Sequence, residues 1–146
     1  MTLAKRIGWR RLTCAASIGL VAGIASGTAA FGDSLDAGLA GAWTTNKADC
    51  SRLFQRRGGT LAFKQPVDKF AQAAIIQPQT IYLPSSTCHI QRVSHVKEGI
   101  KLDAECQDTI SFTSQSVVIK VRSGSEIVYS PTGDATLDTV FLKCGL

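Results

Sequence analysis

The sequence is poor in the residues and spacings from which most metal and catalytic sites are built. Its 146 residues include only two histidines, no Cys-x-x-Cys pair and no Gly-x-Ser-x-Gly motif. These absences argue against a zinc site of the usual spacing, a redox-active dithiol and the nucleophile elbow of serine hydrolases. We therefore expect no bound metal, no cofactor and no enzymatic activity.

Two pairs of side chains remain as candidates for chemistry. His89 and His95 share a face if they lie on one extended strand, but they stand about 20 Å apart at the usual strand rise. The two imidazoles therefore cannot bind the same metal ion unless a β-bulge brings them together. Asp103 and Glu105 have the spacing that puts both carboxylates on one face, about 6 to 7 Å apart. We interpret both pairs as solvated surface side chains.

The basic residues are unevenly distributed, and their position predicts an export signal. Four of the 16 Lys and Arg residues precede an apolar stretch at 12–25, which runs into small residues at 26–30. These four are Lys5, Arg6, Arg10 and Arg11. A basic start, an apolar segment and small residues at a cleavage point make up a secretory signal peptide. We predict a signal at 1–30 and a single mature domain at 31–146.

Removal of this segment leaves a nearly neutral domain. The mature chain then carries 12 basic against 11 acidic residues, a net charge of +1 instead of +5. So low a charge argues against a nucleic-acid partner, which needs a stripe of Lys and Arg. An uncleaved membrane anchor at 12–31 is the alternative, but its Ala, Gly, Ser and Thr content favours cleavage. The sequence thus predicts a periplasmic or secreted protein that is not embedded in a membrane once processed.

Helical periodicity is nearly absent from the mature chain, whereas short alternating runs bounded by Gly, Pro, Ser and Asp recur along it. In the run at 100–107, for example, apolar residues alternate with charged or polar ones. The predicted strands lie at 41–45, 59–65, 73–77, 80–83, 87–96, 100–107, 109–113, 117–122, 126–130 and 139–144, and a tight turn at 130–134. Because some of these strands are continuous with a neighbour, we predict an all-β domain, a small antiparallel meander barrel of about eight strands.

Four cysteines remain after the signal: Cys50, Cys88, Cys106 and Cys144. An even number in an oxidising compartment indicates two disulfides, with three possible pairings. A hairpin with a three-residue turn at 97–99 places Cys88 one diagonal step from Cys106 on the same face. This favours a Cys88–Cys106 bond and leaves Cys50–Cys144 to tie the first loop to the last strand.

The two ends of the predicted domain carry a pattern found in a known class of proteins. Gly41-Ala42-Trp43 begins the first strand, Cys50 follows, and the last strand ends in Leu142-Lys143-Cys144. The chain resembles small exported bacterial disulfide-linked β-barrel proteins. It is similar, more distantly, to the calycins, which include lipocalins, avidin-like barrels and periplasmic metalloprotease inhibitors. In lipocalins the Trp of the Gly-x-Trp element packs under a basic residue of the last strand, so the resemblance implies structural roles for Gly41 and Trp43, with Lys143 as the basic residue.

Arginines supply the candidate binding residues. Arg52, Arg56 and Arg57 lie near a Gly58-Gly59 turn and could form a loop that binds an anion or a partner. In the register of the predicted hairpin, Arg92 falls on the apolar face. It then either points into the barrel, where it would recognise an anionic ligand, or marks a β-bulge that turns it outward.

These observations predict a non-enzymatic exported binding protein with its recognition surface in the loops or at the barrel mouth. Eight strands enclose space for packed side chains or one small ligand. The apolar residues available to fill that space are Leu61, Phe63, Ile81, Leu83, Phe112, Ile119, Val121, Ile127, Tyr129, Val140 and Leu142. A packed interior favours a protein partner, for instance a secreted hydrolase that the protein inhibits. The alternatives are a lipocalin-like carrier of a small ligand and an enzyme of unknown class.

Overall fold

The structure, a computed structural model, describes residues 35–131 and 135–146. Its ten strands are β1 (Gly41–Thr44), β2 (Phe54–Arg57), β3 (Thr60–Phe63), β4 (Ala73–Ile76), β5 (Thr80–Tyr82), β6 (Thr87–Val96), β7 (Gly99–Gln107), β8 (Phe112–Ser123), β9 (Glu126–Pro131) and β10 (Thr139–Lys143). The described residues also include one short helix, α1 (Cys50–Leu53), and 3₁₀ turns at Ala37–Leu39, Lys47–Asp49 and Ala135–Leu137. The predicted signal peptide at 1–30 and the centre of the predicted turn at 130–134 lie outside the described residues.

Eight of the strands form a closed antiparallel barrel, which confirms the predicted fold class. The order around the barrel is β1-β10-β9-β8-β7-β6-β5-β4. The chain runs as a meander from β4 to β10, and β1 closes the barrel by pairing with β10 on one side and β4 on the other. At this closure Trp43 lies opposite Lys143 on β10 and opposite Ala74 on β4.

The other two strands, β2 and β3, form a hairpin that packs on the outside of the barrel. Its turn, Gly58-Gly59, has φ angles of 54° and 84°, which suit the tight two-residue turn that other residues adopt with difficulty. Phe54 and Phe63 lie with ring centroids 5.2 Å apart and pack with Ile75 of β4 in a small core outside the barrel. Leu61 and Phe63, predicted to fill the barrel, belong to this outer core instead.

Both predicted disulfides are present. Cys50–Cys144 ties α1 to the residue after β10, and Cys88–Cys106 joins β6 to β7. The second pair lies directly opposite in the ladder, with Cα atoms 3.8 Å apart, and not on a diagonal. The predicted register is wrong because the β6–β7 turn is one residue shorter than expected and a β-bulge interrupts β6. Two disulfides indicate an oxidising environment outside the cytoplasm.

Two segments differ from the sequence prediction. β2 is not predicted, because Phe54–Arg57 contains one apolar side chain and two arginines and shows no clear alternation. The strands predicted at 109–113 and 117–122 belong to one strand, β8. Its pairing with β7 continues through the polar residues at 113–116, where hydrogen bonding does not depend on side-chain character.

The two ends of the barrel differ. At the closed end, Leu35 and Leu39 precede β1 and are buried against the barrel interior. The open end is formed by the β3–β4, β5–β6, β7–β8 and β9–β10 connections.

Three residues predicted to fill the interior are exposed: Phe112, Val121 and Val140. Phe112 and Val121 lie near the ends of β8, and Val140 alternates with an inward residue and so faces outward.

Candidate binding site at the open end of the barrel

A cavity of about 310 Å³ enters the barrel from the open end. Its walls are inward-facing side chains of β1, β4, β5, β8, β9 and β10, among them Trp43, Ala74, Ile76, Ile119, Ile127 and Phe141. Polar residues of the connections and of the start of β10 line its mouth: Lys69, Gln72, Ser85 and Thr139. The barrel interior holds a buried apolar core, but the cavity shows that packing is incomplete at the open end.

A large and a small side chain face each other in the cavity wall at the barrel closure. Trp43 and Ala74 are register partners on β1 and β4, and partners in an antiparallel pair point to the same face. Because Ala74 lines the cavity with only a methyl group, a longer side chain at this position would take up part of the cavity. A void lined by apolar groups stays dry and takes up apolar molecules.

Trp43 is held in place by two groups near the closed end. Its indole Nε1 donates a hydrogen bond of 2.9 Å to the carbonyl oxygen of Leu39. The Lys143 ammonium lies 5.3 Å from the centre of the indole and donates a hydrogen bond of 2.7 Å to the Gly38 carbonyl oxygen. Because the single donor of the indole is already used, the ring offers the cavity an apolar surface.

Gly41 leaves room for this arrangement. A Cβ atom at this position would lie 2.9 Å from Cε of Lys143. Its φ angle of 141° is also one that L side chains rarely adopt. Because residue 41 has no side chain, the Lys143 side chain can pass close to β1 and place its ammonium group against the indole of Trp43.

Tyr129 brings a polar group into the apolar wall. It lies on β9, lines the cavity and packs edge-on against Phe141 with ring centroids 6.1 Å apart. Burial raises the pKa of its hydroxyl. The hydroxyl therefore stays protonated, as a hydrogen-bond donor, at neutral pH.

The structure does not bring the three arginines of the predicted loop together. Arg52 lies on α1 and is paired with Asp49 at 3.2 Å and Asp68 at 3.4 Å, and these hydrogen bonds raise its pKa. Arg56 lies on β2 and donates to the main-chain oxygens of Gly59 and Leu146. Arg57 is exposed at the end of β2, beside the hairpin turn. A binding role for these residues stays a prediction.

Arg92 lies outside the barrel. The bulge between Ile90 and Arg92 shifts the register, so that Arg92 is exposed and opposite Asp103. Of the two predicted positions the inward one is wrong and the outward one is right. The physical reason is the additional residue in β6, which moves the side chain to the other face of the strand.

The carboxylates and imidazoles stay on the surface, away from the cavity. A hydrogen bond from Ser116, with Lys101 and Arg92 nearby, lowers the pKa of Asp103. The bulge puts His89 and His95 on opposite faces of β6, opposite Glu105 and Ile100, and not on one face as predicted. Within 35–131 and 135–146, no three His, Cys, Asp or Glu side chains are grouped so that they could hold a metal.

Large apolar residues are exposed on three connections at the open end. Phe70 is 95% exposed on β3–β4, Ile110 is 93% exposed on β7–β8, and Leu137 is exposed on β9–β10. The alternation of apolar and polar residues does not predict these exposed side chains. A sequence signal for them is a lone large apolar residue between polar neighbours, as in Asp68-Lys69-Phe70, within a segment without alternation.

The fold and site together define a closed eight-stranded antiparallel barrel with an apolar cavity at one end. A barrel of this form is consistent with the calycin type. Comparison with protein-family models, curated proteins and solved structures finds no significant match. In the part of the chain that the structure describes, no helix has the length and apolar character needed to cross a membrane.

Proposed function

We propose that this protein is a non-enzymatic binding protein of the calycin-like type that holds a small apolar molecule in the open end of its barrel. The observation that carries the proposal is the apolar cavity beside Trp43. Ligand sites in proteins are concave, mostly apolar and equipped with a few polar groups. This cavity has that composition, with polar residues confined largely to its mouth.

The size of the cavity sets the size of the ligand. Its 310 Å³ corresponds to about ten molecules of liquid water by volume. A two-ring aromatic molecule or a medium-length acyl chain is of this size. A cavity of this size supports the alternative of a small ligand. The prediction of a protein partner depends on a fully packed interior.

Two further observations support the calycin type and the place of action. Gly41, Trp43 and Lys143 are arranged as the resemblance implies, with the basic residue of the last strand against the indole. The two disulfides and the basic and apolar segments at 1–30 support export, to the periplasm or beyond the cell.

The position of the titratable groups supports binding without catalysis. The described residues that line the cavity include no carboxylate, imidazole or thiol. Asp103, Glu105, His89 and His95 lie on β6 and β7, which contribute no residue to the cavity lining. A ligand bound beside Trp43 would therefore meet no general acid, general base or nucleophile of these kinds.

Energy transfer from Trp43 tests the proposal. Trp43 is the only tryptophan after residue 30, and its emission overlaps the absorption of the neutral probe N-phenyl-1-naphthylamine. We expect saturable quenching of Trp43 and sensitised emission from the bound probe. Ala74→Leu, which fills the space beside the indole, should weaken binding at least fivefold, whereas the same change at exposed Ala48 should leave it unchanged. Absence of saturable transfer in the unaltered protein would refute the proposal.

The exposed apolar residues at the open end favour a second candidate, a protein partner docked there. Phe70 and Ile110 are almost fully exposed, and aromatic residues such as Phe are enriched in protein interfaces. Inhibition of a secreted hydrolase is the predicted form of such an interaction. In this case Phe70→Ser should abolish inhibition of a panel of secreted proteases, while Ala74→Leu should not.

A further inference from the structure

Within 35–131 and 135–146, no residue forms a hydrogen bond with the hydroxyl group of Tyr129, although the ring is half-buried and lies in the wall of the cavity. A buried tyrosine hydroxyl usually finds a hydrogen-bond partner. A ligand in the cavity is one source of such a partner.

The side chains around Tyr129 in the cavity wall are mostly apolar, although its register partner Thr139 carries a hydroxyl at the mouth. Neighbouring wall residues such as Ile119, Ile127 and Phe141 have purely apolar side chains. The ring itself is positioned by its edge-on contact with Phe141, at 6.1 Å between centroids. A phenylalanine at 129 would fill the same volume without a polar atom, so packing alone does not account for the hydroxyl.

We infer that the ligand is an apolar molecule with one hydrogen-bond acceptor, a carbonyl or carboxylate oxygen, and that Tyr129 binds this oxygen through its hydroxyl. This inference rests on the proposed function, because it names the ligand class of the same cavity. The apolar body lies against Trp43 and the isoleucines. The oxygen accepts the hydrogen bond, and Lys69 at the mouth adds attraction where the acceptor is a carboxylate.

A pair of naphthalene probes separates the hydrogen bond from the apolar contact. The ketone 6-propionyl-2-dimethylaminonaphthalene carries a carbonyl, and its emission moves to longer wavelength when that carbonyl accepts a hydrogen bond. N-phenyl-1-naphthylamine has no carbonyl. Each probe is titrated into the unaltered protein, Tyr129→Phe and the matched control Tyr82→Phe, which removes the other tyrosine hydroxyl, on β5 outside the cavity lining.

We expect Tyr129→Phe to weaken binding of the ketone roughly fivefold to tenfold, the range of one hydrogen bond, and to shift its bound emission to shorter wavelength. Binding of the amine should change less than about twofold, and Tyr82→Phe should affect neither probe. Displacement by 2-nonanone and by octanoate then shows whether a neutral carbonyl or a carboxylate is preferred.

Equal affinity and emission of the ketone in the unaltered protein and in Tyr129→Phe would overturn the inference while leaving the proposed function intact, provided that the amine still binds. If the unaltered protein takes up neither probe, the proposed function fails and this inference fails with it. Loss of both probes in Tyr129→Phe with an unchanged melting temperature would also contradict it, because it would show a packing role.

Discussion

The ammonium group of Lys143 and the indole of Trp43 form the junction at which the barrel closes. They are register partners on β10 and β1, with the nitrogen 5.3 Å from the ring centre. The same ammonium binds the carbonyl oxygen of Gly38, in the segment that covers the closed end of the barrel. One side chain therefore connects the first strand, the last strand and the residues that seal the barrel.

Lys143→Met should remove both interactions and keep most of the apolar stem. We expect the free energy of unfolding to fall by about 1–2 kcal/mol, since a cation on an aromatic ring and a charged hydrogen bond are lost. Lys143→Arg should retain most of it. Urea unfolding followed by Trp43 fluorescence measures the difference, with Lys97→Met in the exposed β6–β7 turn as control. Equal stability of the two methionine variants would contradict this role.

Gly41→Ala should destabilise the barrel by about 1–3 kcal/mol, because the position combines a strained φ angle with a close approach to Lys143. The double variant Gly41→Ala/Lys143→Ala removes the steric overlap but keeps the backbone strain. Its loss of stability should therefore be smaller than the sum of the single losses. Strict additivity in the same unfolding experiments would show that the two residues do not interact.

The two disulfides should differ in their effect on stability. In the chain-entropy model, a bond across a separation of 94 residues is worth about 5 kcal/mol and one across 18 residues about 3 kcal/mol. Cys50→Ala/Cys144→Ala should therefore lower the free energy of unfolding more than Cys88→Ala/Cys106→Ala. Denaturant unfolding of the two double variants tests the order. A larger loss for the hairpin pair would contradict it.

The β7–β8 turn should make stability depend on pH. The backbone N–H of Ile110, with the hydroxyl and N–H of Ser111, binds the Asp108 carboxylate and lowers its pKa. A carboxylate with a lowered native pKa stabilises the fold above its ordinary pKa, and this contribution is lost as pH falls through the native value. The advantage of the unaltered protein over Asp108→Asn should thus shrink from pH 5 to pH 2 in thermal unfolding. A difference independent of pH would contradict this assignment.

Much of the barrel could be predicted because strand alternation is a local property of the sequence. β7 shows this best, since its apolar positions from Ile100 to Cys106 are all buried in the structure. The register of β6 with β7 could not be predicted, because the bulge at Ile90–Arg92 leaves no mark in an alternation that is already irregular. Strand β2 of the β2–β3 hairpin could not be predicted for a related reason. The hairpin packs on the outside of the barrel, and β2 has no alternating pattern of its own.

The cavity could not be predicted from the sequence. It depends on which side chains meet across the closed barrel, and the pairing of Trp43 with Ala74 follows only from strand order and register. The number of apolar residues in the sequence is large enough to fill the barrel, but not all of them lie inside it. Leu61 and Phe63 pack outside the barrel, and Phe112 is 79% exposed. The sequence did identify Trp43 and Lys143, because their positions at the chain ends match a known pattern.

A crystal structure of the protein with N-phenyl-1-naphthylamine shows directly whether the open end of the barrel is a binding site. We expect the naphthalene ring inside the barrel, in contact with Trp43 and Phe141. In Ala74→Leu crystals grown under the same conditions, this density should be absent. A probe found only on the outer surface, with ordered water or repacked side chains beside Trp43, would contradict the claim that the open end is a binding site.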